Sequence, residues 1–204
     1  MKFSLVKNGA DSLKNAFINI ERIDELEIGH DHALKDAVIF LNHGIEILLK
    51  VILAKRSFAL MFDNVKDYQK AKIELSKTDK KDVFEVNPNL KTVSLTEALL
   101  RVEYLCDIEI DINMKNAVLA LNSVRNKIMH FSVEIEEDEV LELTKKLEFC
   151  YNAVNNFFEK HIEDFDEFID DARFEYTLEE YYQDKAEWHA EDMMDEMRLL
   201  SKYE

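Results

Sequence analysis

The sequence predicts an all-α protein, a helical bundle of four to five main helices followed by an acidic C-terminal helical extension. Three observations carry this. Apolar residues make up 47% of 204, enough to build a core rather than leave a disordered chain. Three glycines and one proline, Pro88, are the whole supply of strong turn residues, and a sandwich or barrel needs one at almost every strand junction. Apolar side chains also recur at helical spacing through most of the chain. The glycine shortage further excludes a glycine-rich phosphate loop or a dinucleotide fingerprint, since both need clustered glycines.

Residues 10–27 form the first expected helix, with Leu13, Ala16, Phe17, Ile20 and Ile23 on one face. A longer helix opens near Asp31, which can cap it, and carries an unbroken stripe from Ala33 through Leu41 and Leu48 to Ile52. From Asp63 to Val93 the pattern fades, with seven lysines, six acids and Pro88. That stretch reads as part helix and part loop, a connection long enough to be functional or mobile. Ser94 with Glu97 forms a capping-box signature for a helix to about Leu105. Asn113 caps the next expected helix, which turns Ala117, Val118, Leu121 and Val124 inward and ends with Arg125 to His130. A short strand-like FSVEIEE follows. The helix after it runs from about Asp138 to Lys160, packing Leu147, Tyr151, Val154 and Phe158. Thr177 and Glu180 form a second capping box for a last helix, with Leu178, Tyr182, Ala186, His189, Met193, Met197 and Leu200 along one side.

Charge divides the chain in two. The net formal charge is −17, and residues 161–204 hold 16 acids against four bases, a net of −12. Residues 1–160 are therefore expected to be the bundle and 161–204 an acidic extension. A field of this sign repels nucleic acid at long range. Screening confines exposed charges to roughly 10 Å at ordinary salt, so a local cationic cleft remains compatible with it. Cys106 and Cys150 are too few for a disulfide framework and read as reduced thiols of a cytoplasmic protein. The N-terminal MKFSLVKNGADSLK lacks the apolar core of a signal peptide. The most apolar stretch, Ala37 to Ala54, is interrupted by Asn42, His43, Glu46 and Lys50, which argues against a membrane span.

One constellation carries chemistry. SVRNKIMHF sets Arg125 and His130 five positions apart at the end of a helix, with Asn126 directly after the arginine and Lys127 beside it. The spacing alone is a weak signal, and its place in an apolar-periodic helix strengthens it. An unperturbed histidine titrates near pH ~6.5, so His130 can pass a proton near neutrality. Arg125 stays cationic and can grip two phosphate oxygens with its planar fork. Together they suit attack of a ribose 2′-hydroxyl on its own phosphate, a reaction closed to DNA. Five residues of ideal helix separate the two side chains by about 140°. They converge if the helix ends or distorts between them, or if a second subunit completes the site. Upstream, Glu46 and Lys50 form an i, i+4 pair. Either they are an exposed ion pair worth about 0.3–0.5 kcal/mol, or Glu46 supports the arginine from behind.

Arg125-Asn126-Lys127-Ile128-Met129-His130, with HGIEILLKVILAKR around Glu46 and Lys50 and the later SLTEALLRV, resembles the HEPN superfamily over roughly residues 10–160. The resemblance implies a helical bundle and metal-independent RNA cleavage, with no cofactor, by a homodimer that places two Arg/His pairs around one composite site. Arg125 and His130 would be the catalytic pair, with Asn126, Lys127, Glu46 and Lys50 in support. It also implies a toxin or phage-defence role under a cognate antitoxin or other regulatory protein. One branch carries a tyrosine two residues after the histidine, which a partner enzyme modifies; here that position is Ser132.

Blander readings stand beside these. Arg125 and His130 suit a helix C-terminus on electrostatic grounds alone. The alternative functions are a non-catalytic RNA- or protein-binding module, or an acidic nucleic-acid mimic acting through the extension. His30, Asp31 and His32 invite a metal reading, but two histidines two apart on a helix diverge, so no metal site is expected there. Tyr176, Tyr181, Tyr182 and Trp188 sit among acids and read as a packing or protein-contact face rather than a base-stacking one. The extension could also fold over the Arg125/His130 cleft and imitate RNA phosphates.

Overall fold

The computed structural model describes residues 4–131 and 136–200, and every element among them is helical. In order these are α1 (Leu5–Glu25), α2 (His30–Arg56), a 3₁₀ turn (Phe58–Met61), α3 (Val65–Leu75), α4 (Val83–Val86), α5 (Leu95–Leu105), α6 (Ile112–His130), α7 (Glu137–His161), α8 (Phe165–Asp170) and α9 (Leu178–Leu200). Ser132 and most of the expected strand-like segment lie outside the described residues. The chain divides into two compact units, Met1–Ala172 and Arg173–Glu204.

Helix α2 is the axis of the first unit. Its stripe, including Ala37, Val38, Leu41, Ile45, Leu48 and Leu49, is fully buried, and α1, α5, α6 and α7 all pack on it. By length and composition α2 could cross a membrane, but 61% of its most apolar window is buried inside the bundle. Glycine explains how closely α1 approaches it. A Cβ on Gly9 would lie 2.5 Å from Leu48 Cγ, and one on Gly44 would lie 2.8 Å from Leu13 Cδ2 and 3.1 Å from the Gly9 carbonyl oxygen. Each helix therefore presents a glycine where the other sets a leucine.

The capping residues differ from two sequence expectations. Asp31 does not cap α2. The N-cap is Gly29, whose φ of 92° lies in the left-handed region, and Asp31 falls in the first turn, where its charge complements the helix dipole. Asn113 does not cap α6 either. The Asp111 carboxylate does so, accepting from the Asn113 and Met114 amides at 2.9 and 3.0 Å. Ser94 caps α5 as expected, accepting from the Glu97 amide. The Glu97 carboxylate turns instead to Arg101, at 2.7 Å.

Arg101 has a larger task. Its guanidinium donates to the carbonyls of Leu60, Phe62 and Asp63, pinning the start of the 57–93 connection to α5. A single antiparallel bridge between Phe62 and Thr92 closes that connection on itself. Lys50 fastens its far end, because its ammonium is buried and donates to Glu46 Oε1 at 2.7 Å and to Thr92 Oγ1 at 2.9 Å. The Glu46–Lys50 pair is thus no exposed ion pair. It is a polar rivet on the buried side of α2, tied to Thr92.

After α7, Asp164 in the left-handed region turns the chain into α8, an element the sequence reading did not separate. Phe165 is buried in the core of the first unit beside Phe158, and α8 packs on α1. The second unit is mainly α9, opened by the expected box in which Thr177 Oγ1 accepts from the Glu180 amide and Glu180 accepts from the Thr177 amide. Leu178, Tyr182 and Met193 of its apolar side are exposed. The side chains of His189, Met197 and Leu200 lie outside those described.

Candidate functional site

Helix α6 holds the motif. It runs without a break to His130, because the Phe131 amide still reaches the Lys127 carbonyl at 2.8 Å before the backbone turns extended. Asn122, Ser123, Asn126, Lys127 and His130 recur at three- and four-residue spacing, so one face of α6 is a polar stripe. With Thr96 of α5, Leu119 and Phe131, this stripe lines an open groove of about 590 Å³. Among the described residues no acidic side chain lines it, although the chain carries a net charge of −17. Lys127 is exposed at its wall, and His130 is exposed at the end of the helix.

The groove is fixed from behind. Asn42, buried in α2, donates through Nδ2 to Asn122 Oδ1 at 3.1 Å. A buried amide is costly unless bonded, so this contact holds the polar face of α6 against the core helix.

The expected site residues separate into two places. Asn126, Lys127 and His130 share the groove. Arg125 is half-buried and does not line it; its Nη1 instead donates to Asn126 Oδ1 at 3.1 Å. With α6 regular through the motif, the two motif side chains keep the separation of about 140° around the axis that an ideal helix dictates. The Glu46 carboxylate is bonded to Lys50, and the pair holds Thr92.

Other chemistry-bearing groups fall elsewhere. His43 shares a hydrogen bond of 2.8 Å with Ser12 across the α1–α2 contact. No cluster of three or more His, Cys, Asp or Glu that could hold a metal ion occurs among the described residues. Cys106 and Cys150 are free thiols, and burial pushes Cys150 up to about 12. A second groove between α6 and α7 is lined mainly by apolar residues, among them Leu121, Val124, Leu143, Leu147 and Phe149, with Glu142, Lys145 and Lys146 beside them.

Sequence reasoning missed Thr96, Asn122 and Ser123 as lining residues and Phe131 as an exposed neighbour. The signal was present in the polar i, i+4 series Asn122–Asn126–His130. Comparison with models of known protein families, with curated proteins and with solved structures gave no match.

Proposed function

We propose that the protein is a metal-independent endoribonuclease of HEPN type, acting as a homodimer with Arg125 and His130 as its catalytic pair. The observation that carries this reading is the open groove on α6, lined by no acidic side chain among the described residues, where His130, Asn126 and Lys127 stand together in a strongly acidic chain. His130 takes the 2′-hydroxyl proton or returns one to the leaving oxygen, a role commonly worth about 10²–10⁴ in rate. Arg125 carries the charge that develops on the phosphorane, a contribution commonly near 3–4 kcal/mol per donor. The Asn126 amide oxygen, accepting from the guanidinium, holds it in place. Since Arg125 and His130 diverge around an unbroken helix, a second copy completes the set, each groove being served by both chains.

The biological setting that fits is a toxin or phage-defence effector in the cytoplasm, restrained by a cognate antitoxin or other regulator. The test is product chemistry. In EDTA the protein should cut an RNA strand and leave 2′,3′-cyclic phosphate ends, and should leave the same strand intact when each nucleotide is 2′-deoxy. Equal cutting of both strands refutes 2′-hydroxyl attack.

A second reading has its own observation. Arg125 stands outside the groove that holds His130, which suits a non-catalytic module that grips RNA or a protein partner. Tight RNA binding without any cleavage favours it.

A further inference from the structure

The His130 groove has a neighbour. A cavity of about 400 Å³ opens where the first turns of α2 meet the end of α6 and the start of α7. Leu34, Ile128 and Val140 supply its apolar, more buried lining, and the exposed Asp31 and Lys35 line it together with His30. Size and lining match a small-molecule subsite, largely apolar with a few placed polar groups. Phe131 lines this cavity and the His130 groove alike.

Phe131 is an unusual residue to leave in water. It is 78% exposed, and it follows His130 directly with extended backbone (φ −139°, ψ 169°), so its ring departs from the helix just past the motif. An exposed aromatic face beside a phosphate-binding groove is what a nucleic-acid base stacks on, at a gain of about tenfold or more in affinity per base. The polar groups sharpen the choice of base. A carboxylate accepts from adjacent N–H donors, and the Watson–Crick edge of guanine offers an imino and an amino group side by side. A lysine matches the acceptors at O6 and N7. Uracil offers one N–H between two carbonyls, which a carboxylate repels.

We propose that this cavity is a nucleobase subsite that takes guanine from a nucleotide flanking the phosphate at His130, with Phe131 as the stacking wall and Asp31 and Lys35 reading the edge. The proposal rests on the ribonuclease reading for the phosphate's position. It predicts that cleavage occurs beside guanine in preference to uracil.

Binding and cleavage can be tested apart. Short 2′-O-methyl oligouridines, unmodified or carrying one central guanine, cannot be cut by 2′-hydroxyl attack and report affinity by fluorescence anisotropy. The wild-type chain should bind the guanine strand about tenfold more tightly than the all-uridine strand. Phe131→Ala should lose about tenfold on the guanine strand and most of the preference, and Asp31→Asn should erase the preference, weakening the guanine strand and relieving the repulsion of the all-uridine strand. Both positions are exposed, and unchanged thermal melting confirms the folded state of each variant. Identical binding of the two strands by wild type and Phe131→Ala overturns the subsite and leaves Phe131 to a protein contact. If that result accompanies RNA cleavage, the ribonuclease reading survives alone. If the guanine preference appears without cleavage, the subsite survives and the enzyme does not.

Discussion

Replacing Gly44 with alanine tests the contact on which the whole first unit is built. At an ordinary helical site the change stabilises by about 1 kcal/mol, because glycine carries the greater entropy cost. Here the added methyl would meet Leu13 Cδ2 at 2.8 Å, Leu13 Cγ at 3.0 Å and the Gly9 carbonyl oxygen at 3.1 Å. Leu13 is fully buried and has nowhere to rotate, and the carbonyl belongs to the α1 backbone. The helices must therefore part, at the overpacking cost of about 1–3 kcal/mol. Subtracting the propensity gain leaves a net loss of up to about 2 kcal/mol. For a unit of this size each kcal/mol lowers Tm by roughly 2–4 °C. Urea unfolding followed by circular dichroism reads the difference directly. A Gly44→Ala protein more stable than wild type would refute the close α1–α2 approach, since only an uncrowded site lets the propensity term win.

Two further predictions follow from burial. In the native protein Cys150 should resist a thiol reagent at pH 8, because its thiol is buried and pushed up to about 12; Cys106, half-buried, should react first, and release of both thiols at equal rates without denaturant contradicts this. His161 packs on the Phe157 ring at 4.6 Å, and burial, with help from Lys160, holds it below its ordinary value despite its place at a helix C-terminus. Its contribution to stability is therefore whole above the unfolded value near pH ~6.5 and is lost as pH falls through the lower folded value. Wild type should lose stability between pH 7.5 and pH 5 more steeply than His161→Gln, as measured by urea midpoints; parallel profiles would show that His161 is not the titrating group.

The helical fold was legible because its causes are local. Apolar spacing along α2 and α7, and the pairs Ser94–Glu97 and Thr177–Glu180, act within a turn or two of the chain. The misplaced caps have equally local reasons. Asp111 and Asn113 are both good cap residues two positions apart, and only the carboxylate's reach to two amides decides between them. At Gly29 the left-handed backbone starts α2 ahead of Asp31. What was not legible depends on long-range partners. Sequence could not choose between an exposed ion pair and a supporting role for Glu46 and Lys50, because the partner Thr92 lies 42 positions from Lys50. The closeness of Gly9 to Leu48 and of Gly44 to Leu13 exists only once α1 and α2 are docked. For the candidate site, sequence named Asn126, Lys127 and His130, which the groove does bring together, but not Asn122, whose place is fixed by Asn42 across the bundle.

The rate of RNA cleavage in EDTA by three proteins, wild type, Arg125→Ala and His130→Ala, tests the paired role of the guanidinium and the imidazole most directly. Loss of about a hundredfold or more in each variant, with folding intact by circular dichroism, is the predicted result. Cleavage by either variant at the wild-type rate would contradict the shared role of the two side chains.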